Sequence, residues 1–223
     1  IDHAIIATPL RNVDRWRLVV RASRDTVDVW GLHLKAGDAD TDAVQRGVEA
    51  SLVRASLDSS ENVLRIVAGD LNVYTSTETA YFNLTYSGIR PAGEVMDPIG
   101  RVGEWHNSAE YADVHTQSTR GRQFGGGANG GMDDRFDWLL ISGSLFARYR
   151  EGSYTTYGND GKHFNDSINA QPNTAVDPDI AQSLHDASDH LPVYFDLIFT
   201  RAASGVRSRD EWIDRLDLSD VPR

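Results

Sequence analysis

The chain has 223 residues, of which 40% are apolar, and 33 acidic residues against 22 basic ones give it a net charge of -11. This length and apolar content suffice for one large or two small globular domains with a sizeable core. The negative charge disfavours tight nonspecific binding to polyanions, although a bound divalent cation can reverse the sign of the field at a local site. The sequence contains no cysteine, which excludes disulfides, thiolate catalysis and cysteine-ligated zinc. It also has no apolar run near the roughly 18 residues that a bilayer-spanning helix needs.

The first part of the chain predicts two strands, a helix and a third strand. Residues 17–34 contain two β-rich runs divided by a polar turn. After the loop GDADTD, the sequence predicts a helix that Thr41 caps and that ends near Asp58. Its apolar residues recur every three or four positions and form one stripe: Val44, Val48, Leu52 and Ala55. Residues 63–68, VLRIVA, predict a short strand that leads directly into GDLN.

The second part predicts less regular structure. Residues 74–135 predict loops with short helices, FDWLLIS at 136–142 predicts a strand, and residues 143–186 predict largely irregular structure. The apolar run VYFDLIF at 193–199 predicts a buried strand. Strands separated by helices and long loops indicate an α/β sandwich with a site built from loops at one edge.

The end of the chain, residues 201–223, is predicted to be a tail outside the main domain. Trp212, Ile213 and Leu216 follow helical spacing within it. The spacing predicts a short amphipathic helix that packs on the body of the protein or on a partner.

Polar residues cluster at four predicted strand ends. They are His33 after VDVWGL, Asp70 and Asn72 after VLRIVAG, Asp137 within FDWLLIS, and Asp189 with His190 before VYFDLIF. Taken singly, each has an ordinary structural explanation, such as an Asx turn in GDLN or a polar turn closed by Pro192. Four such groups at strand ends in one chain are much less expected by accident than any one of them.

The same stretches, in the same order, resemble the motifs of the endonuclease/exonuclease/phosphatase superfamily. They are HLKAG at 33–37, GDLN at 69–72, RFDWLLIS at 135–142 and SDHLP at 188–192. The superfamily includes DNase I-like nucleases, abasic-site endonucleases, inositol-phosphate phosphatases and bacterial sphingomyelinases. The resemblance implies a DNase I-like four-layer α/β/β/α sandwich, with residues 1–200 forming the C-terminal two thirds of the domain. It also implies a metal-dependent phosphodiester hydrolase, most directly a nuclease that acts on nucleic acid.

The resemblance implies a catalytic role for five residues. His190 is the general base, and Asp137 is the acid that orients its imidazole. Asp70 and Asn72 position the water and the phosphate or assist the leaving group. His33 hydrogen-bonds a phosphate oxygen.

The implied cofactor is Mg²⁺ or Mn²⁺, hard cations that prefer oxygen ligands. Asp189 is its implied ligand, together with Asp70 and Asn72. Basic residues near the motifs are candidates for binding the anionic substrate: Lys35, Arg122 and Arg135.

The resemblance leaves two metal-site residues unmatched. In the superfamily, an Asn and a Glu, the Glu being a principal metal ligand, lie ahead of the region matched here, and neither Asp2 nor Asp14 falls in a corresponding motif. The expectation is that the chain is a fragment whose separate N-terminal segment completes the domain. The alternatives are a truncated product with exposed sheet edges, and a reduced relative that holds a weak metal without those two residues.

Function and location also have alternatives at this stage. A phosphomonoesterase, a sphingomyelinase-type phosphoesterase and a non-catalytic binding module that kept the scaffold remain open. HLKAG and the glycine-rich approach to RFDWLLIS resemble exported bacterial members, so a bacterial, exported protein is expected.

Overall fold

A computed structural model describes residues 2–88, 93–121, 124 and 126–200. The main sheet has five strands in the order β1-β2-β3-β4-β5. Their bounds are β1 Asp2–Ile6, β2 Val13–Val19, β3 Thr26–His33, β4 Arg65–Asp70 and β5 Asp137–Ile141. Strands β3 and β4 are parallel, and the other neighbours are antiparallel. The strands predicted within 17–34, 63–68 and 136–142 are therefore confirmed.

Helices and a small second ladder complete the described structure. The helices are α1 Asp40–Ser59, α2 Thr79–Thr85, α3 Gly143–Phe146 and α4 Pro178–Ala187, with a 3₁₀-helix at Ala109–Val114. The second ladder pairs β6 Thr155–Thr156 with β7 Val193–Tyr194. Helix α1 is the crossover that a parallel pair such as β3 and β4 requires. None of the helices in the described residues is both long enough and apolar enough to span a bilayer.

Helix α1 forms where it is predicted but buries a different face. Val44, Val48 and Leu52 of the predicted stripe are 67%, 49% and 38% exposed. The buried face instead consists of Arg46, Gly47, Glu49, Ala50, Val53 and Leu57. Two charged residues can lie on it because each has hydrogen-bond partners: Arg46 binds Glu78, and Glu49 accepts from the backbone N–H of Lys35. The predicted Thr41 cap is also wrong, because the N-cap is Ala39.

The main sheet carries apolar side chains on both faces. On one face, Trp30 and Trp138 pack with Val53 of α1 in the larger core cluster. On the other face, the cluster that includes Ile66 also includes Leu197 of the C-terminal segment. This alternation of side chains follows from the period of two in a strand, and it produces a layer of helices, a central sheet and a further layer formed in part by residues 193–199.

Two predictions for the second part of the chain need correction. The strand predicted over residues 193–199 is limited to β7 at Val193–Tyr194. The run is also only half buried, since Tyr194 and Ile198 are 48% and 42% exposed while Leu197 and Phe199 are buried. Residues 143–186 are less irregular than predicted, because they include most of α4. The helix-start signal there is Pro178, which occupies the first turn, where its missing N–H costs no hydrogen bond. The predicted tail helix lies outside the described residues.

Candidate active site

The register of the main sheet places three of the predicted site residues side by side. His33 is paired with Asp70 across the parallel strands β3 and β4, and Asp70 is paired with Asp137 across β4 and β5. Residues paired across neighbouring strands have Cβ atoms about 5 Å apart and share a face of the sheet. The spacing of these residues along their own strands therefore brings an imidazole and two carboxylates together at one sheet edge.

His190 reaches this cluster from the SDHLP segment. Its Nδ1–H donates to Asp137 Oδ2 at 2.6 Å, and its Nε2 lies 3.9 Å from Asp70 Oδ2. The same Asp70 oxygen lies 3.4 Å from His33 Nε2. With Nδ1 bound to a carboxylate, the ring presents the Nε2 lone pair to the cluster, which is the form that a general base requires.

The electrostatics of the cluster favour proton transfer. Burial raises the pKa of Asp70 to about 6, and the negative charge of Asp137 adds to this effect. Burial alone would lower the pKa of His190, but the hydrogen bond and charge of Asp137 outweigh it and raise that pKa. Burial, helped by the charge of Arg11, lowers the pKa of His33. Such perturbed groups gathered at one edge are typical of functional sites.

Asn72 holds Asp70 in place. Its backbone N–H donates to Asp70 Oδ1 at 2.8 Å, which is the Asx turn expected of GDLN, and its φ of 50° lies in the left-handed region that Asn tolerates. Its side-chain amide donates to the carbonyl of Leu34 at 3.3 Å. Asp70 Oδ1 is thereby engaged, and Oδ2 is the oxygen that faces the two histidines.

Asp189 contacts the glycine-rich run. Its Oδ2 accepts from the backbone N–H of Ala128 at 2.6 Å, and its carbonyl accepts from Thr119 at 3.2 Å. Asp70 Oδ2 is a desolvated carboxylate oxygen whose ion pairs are with imidazoles, so it suits a hard cation. The shared metal role of Asp189, Asp70 and Asn72 stays a prediction.

The three predicted substrate-binding residues have different outcomes. Arg135 is buried and ion-paired with Asp97, with Nη1 2.8 Å from its Oδ2, and its guanidinium lies 3.7 Å from the centre of the Trp138 ring. The predicted substrate contact of Arg135 is therefore corrected, because its charge is compensated within the core. Lys35 forms an ion pair with Asp42 at 2.8 Å and is partly exposed, so its role stays a prediction. Arg122 lies outside the described residues.

Two neighbours of the cluster were not predicted from the sequence. Gln117 Nε2 donates to His190 Nε2 at 2.6 Å. Thr116 Oγ1 accepts from the backbone N–H groups of Phe136 and Asp137, both at 3.1 Å, and so fixes the start of β5. Both residues lie in a polar loop that carries no motif, and only the folded contacts identify them.

A second group of polar residues lies beside the cluster. His106, Asp133 and Asp134 each place one ligand atom so that all three atoms lie within 4.8 Å of one another. Burial raises the pKa of Asp134 to about 6 and also raises that of Asp133. The adjacent aspartates just before RFDW were a signal in the sequence, but nothing there indicated His106 as their neighbour.

The fold and the site together define a class of protein: a mixed α/β protein with a histidine and carboxylate cluster at one edge of its central sheet. No protein-family model matches the sequence. No curated protein gives a significant match either.

Solved structures do share the fold. A structure of D. rerio TDP2 complexed with single strand DNA product has a TM-score of 0.50 and 15% identity, over 87% of this chain and 66% of that one. A functionally unknown conserved protein from Enterococcus faecalis has a TM-score of 0.51 and 12% identity, over 88% of this chain and 65% of that one. An endonuclease/exonuclease/phosphatase family protein from Bacteroides thetaiotaomicron has a TM-score of 0.44 and 15% identity, over 82% of this chain and 54% of that one.

The two structures with TM-scores of 0.50 and 0.51 show that the chain has their mixed α/β fold, which confirms the predicted DNase I-like fold class. The chain spans less than two thirds of the length of each of these three structures.

Proposed function

We propose that the chain is the catalytic part of a metal-dependent phosphoesterase, and that its reaction is phosphodiester hydrolysis of nucleic acid. The observation that carries this proposal is the hydrogen bond of 2.6 Å between His190 and Asp137, formed beside Asp70 at one sheet edge. A histidine oriented by a carboxylate is the usual means of activating water near neutral pH.

His190 acts as the general base. Asp137 holds Nδ1–H, so the Nε2 lone pair accepts a proton from water once the water replaces Gln117 there, and Asp137 then stabilises the imidazolium. Gln117 donates to this same Nε2 at 2.6 Å and so marks the position from which a water O–H would donate. The raised pKa of His190 makes it a stronger base than an isolated imidazole.

His33 and Asp70 handle the phosphate side of the reaction. The side chain of His33 is 47% exposed, so its imidazole can turn from Asp70 and donate to a nonbridging oxygen. Asp70, held by Asn72, orients the attacking water or assists the leaving group. Negative charge from Asp70 and Asp137 lies close to where an anionic substrate would bind, so this site needs a compensating cation.

Mg²⁺ or Mn²⁺ is the proposed cofactor, with Asp70, Asn72 and Asp189 as its oxygen donors. When bound, the ion polarises the phosphate and stabilises negative charge on the leaving oxygen. We further propose that a separate N-terminal segment supplies the Asn and Glu that the superfamily resemblance implies. The chain covers only 65% and 66% of the length of two structures with the same fold.

Nucleic acid is the proposed substrate because one structure of the same fold, D. rerio TDP2, is complexed with single strand DNA product. The net charge of -11 argues against broad electrostatic capture of DNA. We therefore expect recognition to depend on the site itself and on the bound cation.

The test is Mg²⁺-dependent cleavage of fluorescent single- and double-stranded DNA, with bis-p-nitrophenyl phosphate and p-nitrophenyl phosphate in parallel. His190→Ala is expected to lower the rate by about 10²- to 10⁴-fold, the usual contribution of a general base. His185→Ala is the matched control, since His185 also pairs with an aspartate, at 2.7 Å, but on helix α4. Turnover of the monoester alone would replace the diesterase proposal with a phosphomonoesterase. No turnover of any of these substrates by the folded chain, either alone or together with a segment that supplies the Asn and Glu, would contradict the enzymatic proposal.

A further inference from the structure

Three side chains outside the catalytic cluster have the composition of a metal site. His106 Nδ1 and Asp134 Oδ1 lie 2.7 Å apart, and a carboxylate oxygen of Asp133 completes a group whose ligand atoms all lie within 4.8 Å of one another. We propose that His106, Asp133 and Asp134 bind a divalent transition-metal ion of the Zn²⁺ type. This site shares no residue with the proposed Mg²⁺ site at Asp70, Asn72 and Asp189.

The backbone holds these three residues in place without help from a ligand. The N–H groups of Asp133 and Asp134 both donate to the carbonyl of Gln117 at 2.9 Å. The carbonyl of Asp133 accepts from the N–H of Asn107 at 2.8 Å, which ties the segment that carries His106 to the aspartates. The ring of Tyr74 contacts the His106 ring edge-on, with the centroids 5.0 Å apart. A site arranged in this way loses little conformational entropy when an ion binds.

The charge of the group supports a cation. The side chain of Asp134 is only 11% exposed, and the ion pair that it forms is with His106 rather than with an arginine or lysine. Two adjacent carboxylates withdrawn from water repel each other, and one neutral or singly charged imidazole compensates them only in part. A divalent ion would supply the missing positive charge, in the way that bound cations commonly dominate the electrostatics of such sites.

The donor set indicates the class of ion. Imidazole suits Zn²⁺ and other transition metals, whereas Mg²⁺ prefers oxygen donors alone. Ligand atoms around a tetrahedral Zn²⁺ lie roughly 3.3 Å apart, because each bond is about 2.0 Å long. To reach this spacing, His106 Nδ1 and Asp134 Oδ1 must move about 0.6 Å further apart than their present 2.7 Å. The half-exposed His106 ring, at 49%, is free to make this adjustment. Three protein ligands would leave one position open for water or for an oxygen of a bound anion.

The site adjoins the catalytic cluster through a single residue. The backbone carbonyl of Gln117 accepts from both aspartates, and its side chain donates to His190 at 2.6 Å. A cation at this position would offset two negative charges near the path of an anionic substrate and would fix the residue that contacts the base. This consequence rests on the proposed function, whereas the cation site itself does not.

The test is a binding measurement on the full chain after treatment with chelator. Zn²⁺ is titrated in competition with a chromophoric chelator, and Co²⁺ is added separately to record the visible absorption of the bound ion. We expect about one Zn²⁺ per chain, and a loss of affinity of at least tenfold in His106→Ala and Asp133→Asn, since even outer-shell changes cost about 10- to 100-fold. Asp70→Asn and His185→Ala are the controls and are expected to bind Zn²⁺ as the unmodified chain does. Circular dichroism of every variant establishes that it is folded.

Each other outcome overturns the inference. Binding by His106→Ala that equals that of the unmodified chain would place the ion elsewhere. Loss of binding in Asp70→Asn, with retention in His106→Ala, would place it in the catalytic cluster. No binding of Zn²⁺ or Co²⁺ by the folded chain at 100-fold excess over protein would remove the site altogether. Because no turnover is measured, a chain that binds Zn²⁺ in the expected pattern but hydrolyses no phosphoester would contradict only the proposed function.

Discussion

Two aspartates on neighbouring strands of the main sheet differ in the direction of their pKa shifts. Asp28 on β3 is fully buried, and burial would raise its pKa, but hydrogen bonds from Arg17 and Arg15 outweigh this effect and lower it. Asp70 on β4 is also withdrawn from water, and both burial and the charge of Asp137 raise its pKa to about 6. The same sheet therefore holds one carboxylate stabilised as an anion and another that is close to accepting a proton.

The difference shows that the partners of a buried acid, rather than its burial, decide what it can do. Arg15 Nη2 and Arg17 Nε lie 2.6 Å and 2.7 Å from the oxygens of Asp28, so its charge is already compensated. The partners of Asp70 are two imidazoles at 3.4 Å and 3.9 Å, together with a second carboxylate. An acid in such a setting can exchange protons or bind a cation, which is why perturbed carboxylates cluster at functional sites.

The strongest test of this comparison is Asp70→Asn. We expect phosphoesterase activity to fall by about 10²- to 10⁴-fold, as for loss of a group that acts in proton transfer or metal binding. The free energy of unfolding should change by less than about 1 kcal/mol, because the substitution removes a destabilising charge and keeps the shape of the side chain. Initial rates and urea unfolding measure the two effects. Asp179→Asn, at an exposed position of α4, is the control, and a large loss of stability in Asp70→Asn would make that residue structural.

The complementary change is Asp28→Asn. It leaves two arginines without their common carboxylate, and we expect it to lower the free energy of unfolding by roughly 2–4 kcal/mol, slightly less than for a fully buried pair because the arginines are partly exposed. Activity per folded molecule should not change. The control is Asp14→Asn, because the exposed side chain of Asp14 on β2 pairs with His3 on β1. Urea unfolding of both variants measures the difference. Equal effects of the two substitutions would remove the contrast between buried and exposed pairs.

The two aspartates should also give opposite pH dependence of stability in metal-free buffer. Asp28 has a lower pKa in the folded than in the unfolded chain, so the stability that it provides is present above about pH 4 and is lost as the pH falls below that value. Asp70 has a raised pKa of about 6 in the folded chain. Its contribution to stability is therefore most favourable below its pKa in the unfolded chain and is lost as the pH rises through about 6. Urea unfolding between pH 3 and pH 7 should therefore show that the free energy of unfolding falls less on the acid side in Asp28→Asn than in the unmodified chain. In Asp70→Asn, it should fall less as the pH rises towards neutrality. Unchanged pH profiles in both variants would contradict the pKa shifts of Asp28 and Asp70.

The smallest expected effect concerns Gln117. Gln117→Ala removes the hydrogen bond to His190 Nε2, and a neutral hydrogen bond is worth about 0.5–1.5 kcal/mol, so the rate should fall by no more than about tenfold. Gln182→Ala on α4 is the control, because the side chain of Gln182 hydrogen-bonds Asn169 and Asp186 rather than His190. Rates across pH separate the roles: a loss confined to one limb of the pH profile indicates that Gln117 acts through His190, and a uniform loss indicates a structural role.

The sequence predicted the sheet better than it predicted what packs on it. Strands β3, β4 and β5 were predicted because runs of apolar residues end at polar motifs. The buried face of α1 was not, because it includes Arg46 and Glu49, whose burial depends on partners contributed by distant segments. Helix α4 was missed because its apolar positions are few, and only its proline marks the first turn.

The site divides in the same way. His33, Asp70 and Asp137 could be placed together from the sequence because each lies at the end of a strand, and the sheet register then aligns them. Arg135 was misassigned because a charge beside a motif looks the same whether it faces solvent or pairs with Asp97 in the core. Gln117 could not have been found, since its contact with His190 joins residues 73 positions apart.

The hydrogen bond between His190 and Asp137 has a consequence for how the molecule folds. His33 and Asp70 come together as soon as the parallel pair β3 and β4 forms, but the bond between Asp137 and His190 must close a loop of 53 positions. Contacts of high sequence separation form slowly, because the entropy of the intervening chain is lost before they stabilise the fold. During synthesis, an emerging chain would complete the sheet edge before it acquired the base. Refolding followed by tryptophan fluorescence, to which the buried Trp30, Trp105 and Trp138 contribute, should therefore finish ahead of the recovery of hydrolysis. The delay between the two would time the docking of the SDHLP segment.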